Sequence, residues 1–224
     1  MRDAMKINET TVVTIDNSGC IGEKRLDAVQ VSNTTAAYYS ARVALLEQWC
    51  AGAEPTHIFI SNFTGEYAWF DYEKGIEWVF DEIEKPLPPI KGSTESNFES
   101  LQSGLGLMMI GQLQYEVSSE NCEWYVLGKP LVGQEVIEQP QNVAKLKEMY
   151  FLVTSGIAKT IWPVGSKGIG AELKRIFPEN HVECKLDLEK TSGPATAVIV
   201  GISRNRKQQF KNAITVPYEP ILIR

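Results

Sequence analysis

Apolar and polar positions in the first half of the chain predict strands followed by a long helix. Residues 11–15 form a β-branched run typical of a strand, and the turn-forming residues 16–19 end it. Residues 27–31 alternate as a second strand would. Between residues 36 and 51 the apolar positions recur at the spacing of one helical face. The first half therefore predicts helices packed on a sheet.

In the rest of the chain, apolar residues again recur with strand-like spacing in some segments and helix-like spacing in others. An apolar stripe through Ile76, Val79 and Ile83 predicts a second helix, which ends before Pro86. The other predicted elements are a buried strand at residues 57–62, a polar loop at 91–98, strands at 105–113, 124–127 and 195–202, and helices near 143–153, 169–176 and 204–212. Because strands and helices follow no regular alternation, the predicted fold class is α+β.

Composition and charge narrow the classes of function. The chain has 224 residues, 43% of them hydrophobic, and a formal net charge of -6. Without a long run of lysine or arginine, this balance predicts no nucleic-acid partner. The sequence contains no stretch of 18 apolar residues and therefore predicts no membrane span. The N-terminus does not resemble a signal peptide. The four cysteines are far apart in the sequence, which favours reduced thiols and a cytoplasmic protein.

The first candidate site is the segment from Asp16 to Glu23, together with Asp27. A carboxylate at a strand end can bind a magnesium ion whose other ligands are phosphate and water. Gly19 and Gly22 would let backbone N–H groups approach a phosphate. The alternative, favoured by residue chemistry alone, is an ordinary turn between two strands.

Two further segments could bind phosphate, each with a structural alternative. Residues 92–97 form a polar loop between a proline-rich stretch and an apolar strand, and an exposed hairpin loop explains them equally well. Residues 165–170 have the spacing G-x-x-G-x-G, which matches no nucleotide-binding motif and favours a simple helix start. Lys129 could attract a phosphate, although such a lysine is more often a solvated surface residue.

Taken in order, these segments resemble the aminoimidazole-ribonucleotide synthetase (PurM-like) superfamily, which includes thiamine-monophosphate kinase. The segments that carry the resemblance are Asp16-Asn17-Ser18-Gly19, Asp27-Ala28-Val29, the helix end before Gly52-Ala53-Glu54-Pro55, Gly92-Ser93-Thr94-Glu95, the strand at 106–111 and, more weakly, residues 128–136, 164–173 and 191–200. The resemblance implies a two-domain fold, with a mixed or antiparallel N-terminal sheet covered by helices over residues 1–138. It also implies a shortened α+β domain over residues 139–224.

The resemblance further implies an ATP and Mg²⁺ site in the N-terminal domain. Carried over residue by residue, the implied catalytic residues are Asp16 and Asp27, and the implied metal ligands are Asp16, Asp27 and Glu95. The implied cofactor-binding residues are Asn17, Ser18, Gly19, Gly22, Gly92, Ser93, Thr94 and Lys129. Asn17 and Ser93 depart from the family pattern, because each replaces an acidic residue and so reduces the charge available to metal ions.

Within the superfamily, the chain most resembles the α-ribazole kinases of cobamide salvage. This implies γ-phosphoryl transfer from ATP to the 5′-hydroxyl of α-ribazole, or of a similar nucleoside. Two alternatives stay open at this point: an ATP-dependent synthetase or cyclase, and a non-catalytic ATP-binding protein. A homodimer is expected, since family members pair through the N-terminal sheet.

Overall fold

The computed structural model describes residues 2–224, which form two compact units divided along the chain between Gln114 and Tyr115. Elements of the first unit are β1 (Met5–Lys6), β2 (Thr11–Gly19), β3 (Ile21–Gly22), β4 (Val29–Gln30), α1 (Asn33–Cys50), β5 (Ala53–Asn62), a 3₁₀ turn (Glu66–Ala68), α2 (Trp69–Glu82), β6 (Ile90–Thr94) and β7 (Gly104–Leu113). In the part of the chain that is described, no helix has the length and apolar character needed to cross a membrane.

A five-stranded sheet in the order β1-β2-β7-β5-β6 is the core of the first unit. Its strand pairs are antiparallel except for β5 and β6, which run parallel. The sheet is therefore mixed, as expected. β3 and β4 form a separate two-stranded parallel ribbon.

Helices α1 and α2 cover one face of this sheet. Ser32 caps α1, because its side chain accepts a hydrogen bond from the backbone N–H of Thr35. Gly75 lets the two helices approach closely, since an added Cβ there would overlap the backbone carbonyl of Thr34 on α1. The core beneath the helices includes Leu107 and Ile60, both almost fully buried. The expected architecture, a sheet covered by helices in an α+β fold, is confirmed.

Three local expectations were wrong. Residues 16–19 continue β2 instead of turning, because each pairs with β7, as far as Gly19 opposite Gly104. Residues 90–94 form a strand rather than a loop, since Gly92 allows the backbone to lie close to Ile60. Only Val29–Gln30 of the expected strand at 27–31 is extended and paired, because Asp27 closes a turn with Lys24.

The second unit is also a helix-covered sheet. Its elements are β8 (Cys122–Leu127), α3 (Gln134–Glu138), a 3₁₀ turn (Pro140–Asn142), α4 (Leu146–Thr154), β9 (Ala158–Pro163), α5 (Gly168–Ile176), β10 (Val182–Glu183), β11 (Val198–Ser203), a 3₁₀ turn (Arg204–Arg206), α6 (Lys207–Ala213) and β12 (Tyr218–Ile223). The strands pair antiparallel in the order β10-β12-β8-β11-β9. Part of the core consists of Trp124, Val126, Ile169, Leu173 and Ile199.

The division between the units differs from the boundary expected at residues 138 and 139. β8 lies in the middle of the second sheet, between β12 and β11, so the chain has already entered the second unit by Cys122.

Close packing against the backbone of Leu188 explains the glycines at the start of α5. A Cβ on Gly168 would lie 2.5 Å from the carbonyl oxygen of Leu188, and the N–H of Gly170 donates to that oxygen.

Candidate functional site

Strand register determines which candidate residues share a face of the first sheet. Asp16 lies opposite Leu107, which lies opposite Ile60, which in turn lies opposite Gly92. Because paired residues project to the same side, Asp16 and Gly92 are on the face covered by the helices. The next row, which contains Asn17, Gly106, Ser61 and Ser93, projects to the opposite, open face.

The candidate residues of β2 and β6 are therefore divided between two faces. Asp16, Ser18 and Thr94 are on the helix face, and Asn17 and Ser93 are on the open face. Two strands lie between β2 and β6, so Asp16 and Gly92 are roughly 14 Å apart at about 4.8 Å per strand. One metal ion cannot contact groups at both positions directly.

Asp16 belongs to a polar cluster between β2 and α1. The hydroxyl of Ser40 hydrogen-bonds to its carboxylate, and the Glu47 carboxylate is one of its charged neighbours. Arg2 forms an ion pair with Glu47, whose side chain is almost fully buried. Burial raises the pKa of Asp16 to about 7, and the negative charge of Glu47 adds to the effect. Burial also raises the pKa of Glu47, against the opposing effect of Arg2.

Sequence reasoning missed Arg2, Ser40 and Glu47 as members of this cluster. A signal was present, because Ser40 and Glu47 are seven residues apart on a mostly apolar helix and therefore lie on the same face. Arg2 carried no comparable signal. It reaches Glu47 from far away in sequence, which only the folded chain determines.

Asp27 is buried and uses both carboxylate oxygens within the protein. Oδ1 accepts the backbone N–H of Ser103 at 2.7 Å. Oδ2 accepts the Ser103 hydroxyl at 2.7 Å and the backbone N–H of Lys24 at 2.8 Å. These bonds fasten the loop before β4 to the start of β7. Its surroundings therefore indicate a structural role for Asp27.

Most candidate glycines are required by packing. A Cβ on Gly22 would overlap the Ser103 side chain, and one on Gly92 would overlap the backbone of Ile60. Gly19 has no neighbouring atom within 4 Å of such a Cβ and is the glycine of this group that leaves room for a ligand. Lys129 is exposed in the second unit, where its backbone bonds to Asn142 and Thr196.

Glu95 follows β6 at the edge of the sheet, with its backbone N–H bonded to the carbonyl of Asn62. Thr94 accepts a hydrogen bond from the Asn62 side chain. Across residues 2–224, no three His, Cys, Asp or Glu side chains converge in a group that could hold a metal ion. The structure thus does not bring Asp16, Asp27 and Glu95 together.

A pocket of about 530 Å³ lies beside Glu95 in the first unit. Three loops enclose it: residues 24–26, residues 64–67 and residues 95–101. Its lining includes two exposed aromatic residues, Tyr67 and Phe98. Its volume is within the usual range for small-molecule sites. Sequence reasoning did not identify this pocket, because its walls are distant in sequence.

Comparison with solved structures identifies the fold. The chain superimposes on tt0281 from Thermus thermophilus with a TM-score of 0.67 at 9% identity, covering 100% of this chain and 87% of that chain. It superimposes on thiamine monophosphate kinase from Aquifex aeolicus with a TM-score of 0.66 at 12% identity, covering 99% and 88%. The chain has the PurM-like fold.

A third PurM-like neighbour is PurL from T. maritima, solved in complex with AMPPCP. Its TM-score is 0.59 at 12% identity, and the match covers 97% of this chain but only 42% of PurL. No protein-family model and no curated protein sequence matches the chain. The similarity to these proteins is therefore one of fold, at 9–12% sequence identity.

The hydrogen bonds of Asp27 lead to a prediction about stability. Asp27→Asn replaces one acceptor oxygen by an NH₂ group that faces donors, so we expect a loss of about 1–3 kcal/mol in the free energy of unfolding. Urea denaturation measures this loss. Asp81→Asn, an exposed position on α2, is the matched control and should change stability by less than about 0.5 kcal/mol. Equal stability of the two variants would contradict the structural role of Asp27.

The raised pKa of Asp16 predicts pH-dependent stability. The folded chain retains the Asp16 proton up to about pH 7, whereas the unfolded chain loses it near the usual value of 3.8. Ionisation thus favours the unfolded chain increasingly between pH 4 and 7, and the full cost remains above pH 7. Asp16→Asn removes this cost, which is on the order of a few kcal/mol.

Urea denaturation from pH 4 to pH 8, with a chelator present, tests this expectation. The stability of Asp16→Asn relative to the parent should increase as pH rises and level off above pH 7. Asp81→Asn, which replaces an exposed carboxylate on α2, is the control for the substitution. A pH-independent difference for Asp16→Asn would show that its carboxyl titrates normally.

Proposed function

We propose that the chain is an ATP- and Mg²⁺-dependent phosphotransferase. The observation that carries this proposal is the PurM-like fold, which extends over nearly the whole chain in every comparison described above. Neighbours with this fold include PurL solved with AMPPCP and with ATP, and two thiamine-monophosphate kinases. Because one fold can host several activities, the proposal also depends on the residues around Asp16.

The polar cluster at Asp16 supports a magnesium site. Magnesium in nucleotide enzymes uses one or two protein carboxylates and completes its shell with phosphate and water. Asp16 is such a carboxylate, and the hydroxyl of Ser40 hydrogen-bonds to it. The neighbouring Glu47 is already paired with Arg2. When bound, the ion would neutralise charge on the transferred phosphoryl group. We retain Asp16 as the principal ligand and assign Asp27 a positioning role. Glu95 is not assigned to this ion, because two strands separate β6 from β2.

In the first unit, Gly19 is the proposed phosphate-binding residue that the structure leaves accessible. Gly19 has open space beside it. Lys129 has an exposed side chain in the second unit and stays a separate proposal for binding an anion there. Asn17 and Ser93 are on the open face, on the other side of the sheet from Asp16, and are not assigned to the magnesium site. Catalysis would come from alignment of the two substrates and from electrostatic stabilisation.

The proposed acceptor is α-ribazole, through its 5′-hydroxyl. Its 5′-oxygen forms the bond to the γ-phosphorus, and the bond from that phosphorus to the bridging oxygen breaks. ADP leaves with the bridging oxygen, and the hydroxyl proton passes to solvent. The segments Asp16-Asn17-Ser18-Gly19 and Gly92-Ser93-Thr94-Glu95 support this acceptor through their resemblance to α-ribazole kinases. We place the reaction in the cytoplasm, consistent with the four free cysteines.

One observation favours a second candidate, a non-catalytic ATP-binding protein. Asn17 and Ser93 carry no charge, and the carboxylate of Asp27 is occupied by hydrogen bonds. The described residues thus offer fewer metal ligands than the sequence resemblance implies. A synthetase or cyclase is the other alternative, and it would release phosphate without a phosphorylated acceptor.

Turnover with ATP and Mg²⁺ tests the proposed reaction. Incubation with α-ribazole, guanosine, thiamine monophosphate or no acceptor, followed by mass analysis, should yield phosphorylated α-ribazole. Asp16→Asn should lower kcat by at least about 100-fold, because the metal loses its principal carboxylate. Glu138→Gln, an exposed position in the second unit, is the control and should retain full activity.

The other outcomes of the turnover experiment each point to one alternative. ADP and phosphate without a phosphorylated acceptor would support the synthetase. ATP binding without any turnover would support the non-catalytic protein. Undiminished activity of Asp16→Asn would refute the proposed metal site.

We also propose that the chain is a homodimer that pairs through the open face of the first sheet. Ile15 and Phe59 on this face are 64% and 40% exposed. Apolar side chains exposed on a sheet face are typical of protein interfaces. This pairing would bury both residues against a second copy of the chain.

Size-exclusion chromatography with light scattering tests the homodimer. At micromolar concentration the parent chain should have the mass of a dimer. Ile15→Asp should elute as a monomer, because the new charge would be buried in the interface. Phe70→Asp is the matched control, since Phe70 is exposed on α2, and it should remain dimeric. A parent chain of monomer mass would exclude the dimer.

A further inference from the structure

The walls of the pocket beside Glu95 are held together by hydrogen bonds between two loops. The ammonium group of Lys24 donates to the backbone carbonyl and to the hydroxyl of Ser100, at 2.6 and 2.8 Å. The side chain of Gln102 donates to the carbonyl of Leu26 at 2.6 Å. With the Asp27 bonds to Ser103, these contacts join residues 24–27 to residues 100–103. The pocket therefore exists before a ligand binds.

Aromatic and apolar side chains border this preformed pocket. Tyr67 and Phe98 are 60% and 82% exposed, and Leu101 is 75% exposed. The ring of Tyr67 lies against Gly65, where an added Cβ would be 2.9 Å from a ring carbon. Exposed aromatic rings in a pocket offer flat apolar faces on which a heterocyclic base can stack.

The charged groups of the pocket are predominantly acidic. Glu66, Glu95 and Glu99 line it, against two basic residues, Lys24 and Arg25. The ammonium group of Lys24 already bonds to Ser100, which leaves Arg25 as the basic group available to a ligand. The charges of Glu23, Asp27 and Glu99 also act on the Tyr67 hydroxyl. This field disfavours a phosphorylated ligand and favours one that is neutral or cationic.

We propose that this pocket binds the acceptor as an uncharged nucleoside, with the base against Tyr67 and Phe98 and the ribose hydroxyls bonded to Glu95 and Glu99. Carboxylates are suitable partners for ribose, because they accept hydrogen bonds from its hydroxyl groups. That the bound nucleoside is the acceptor rests on the phosphoryl transfer proposed above. The pocket itself is tested without ATP.

The same charge distribution gives the pocket a means of releasing product. Transfer converts a neutral nucleoside into a monophosphate with a charge of about −2 at neutral pH. Repulsion by the carboxylates then weakens binding of the product relative to the substrate. The pocket thus favours binding of the nucleoside substrate and release of the nucleotide product.

Isothermal titration calorimetry without ATP or Mg²⁺ tests the pocket directly. The probes are α-ribazole, adenosine, guanosine and the 5′-monophosphate of each. At least one nucleoside should bind, and its monophosphate should bind at least about tenfold more weakly. Tyr67→Leu and Phe98→Leu should each weaken nucleoside binding about tenfold or more, since each removes a stacking face. Glu99→Gln should reduce the difference between nucleoside and monophosphate.

Phe70→Leu is the matched control for the aromatic variants. Phe70 is 79% exposed in the same unit and is not part of the pocket lining, so its substitution should leave binding unchanged. Circular dichroism of each variant establishes that it is folded. Any of three results would overturn the pocket assignment: no nucleoside binds, the monophosphate binds as tightly, or Tyr67→Leu and Phe98→Leu behave as Phe70→Leu does.

The experiment separates the pocket from the proposed reaction. Nucleoside binding that depends on Tyr67 and Phe98, in a protein without phosphoryl transfer, would support the pocket and refute the kinase. Phosphoryl transfer with an unchanged KM for the nucleoside in both variants would support the kinase and refute the pocket.

Discussion

Alternation of side chains across the first sheet is the constraint on which the candidate site depends. One face of this sheet is covered by α1 and α2, so neighbouring residues on a strand meet entirely different surroundings. Asp16 lies beside α1 with Ser40 and Glu47, whereas Asn17 projects to the open face. The pairing of β2 with β7 as far as Gly19 extends this alternation through residues 16–19, which the sequence predicts as a turn.

A second consequence of the fold is the pairing of loops that are far apart in sequence. Asp27 and Ser103 are separated by 76 residues, yet their side chains are within 2.7 Å. This contact, with Lys24 and Ser100, shapes the pocket bordered by Tyr67 and Phe98. Asp27, which the sequence suggests as a metal ligand, thus helps to shape the neighbouring pocket. The candidate carboxylates Asp16 and Glu95 therefore belong to two different places, the cluster beside α1 and the pocket lining.

Much of the fold could be predicted from the sequence, and the candidate site only in part. The apolar stripe of α2, the long helix α1 and the strand β7 follow from periodicity, and the α+β class follows from their order. The PurM-like fold was accessible through short segments in the right order. Strand β6 could not be predicted from the sequence, because its residues are mostly polar and it pairs at a sheet edge. The position of β8 in the second sheet was equally inaccessible, since strand order depends on long-range pairing.

The amino-acid sequence by itself determined the periodic elements, the acidic net charge and the resemblance to PurM-like proteins. These properties are local or additive, so they can be read from short stretches of the chain. Only the tertiary structure decided that Arg2 pairs with Glu47, that Asp27 is bonded to Ser103, and that three loops enclose the pocket lined by Tyr67. Each of these contacts joins residues separated by about 40 to 80 positions, and the packing of the sheet and helices brings them together.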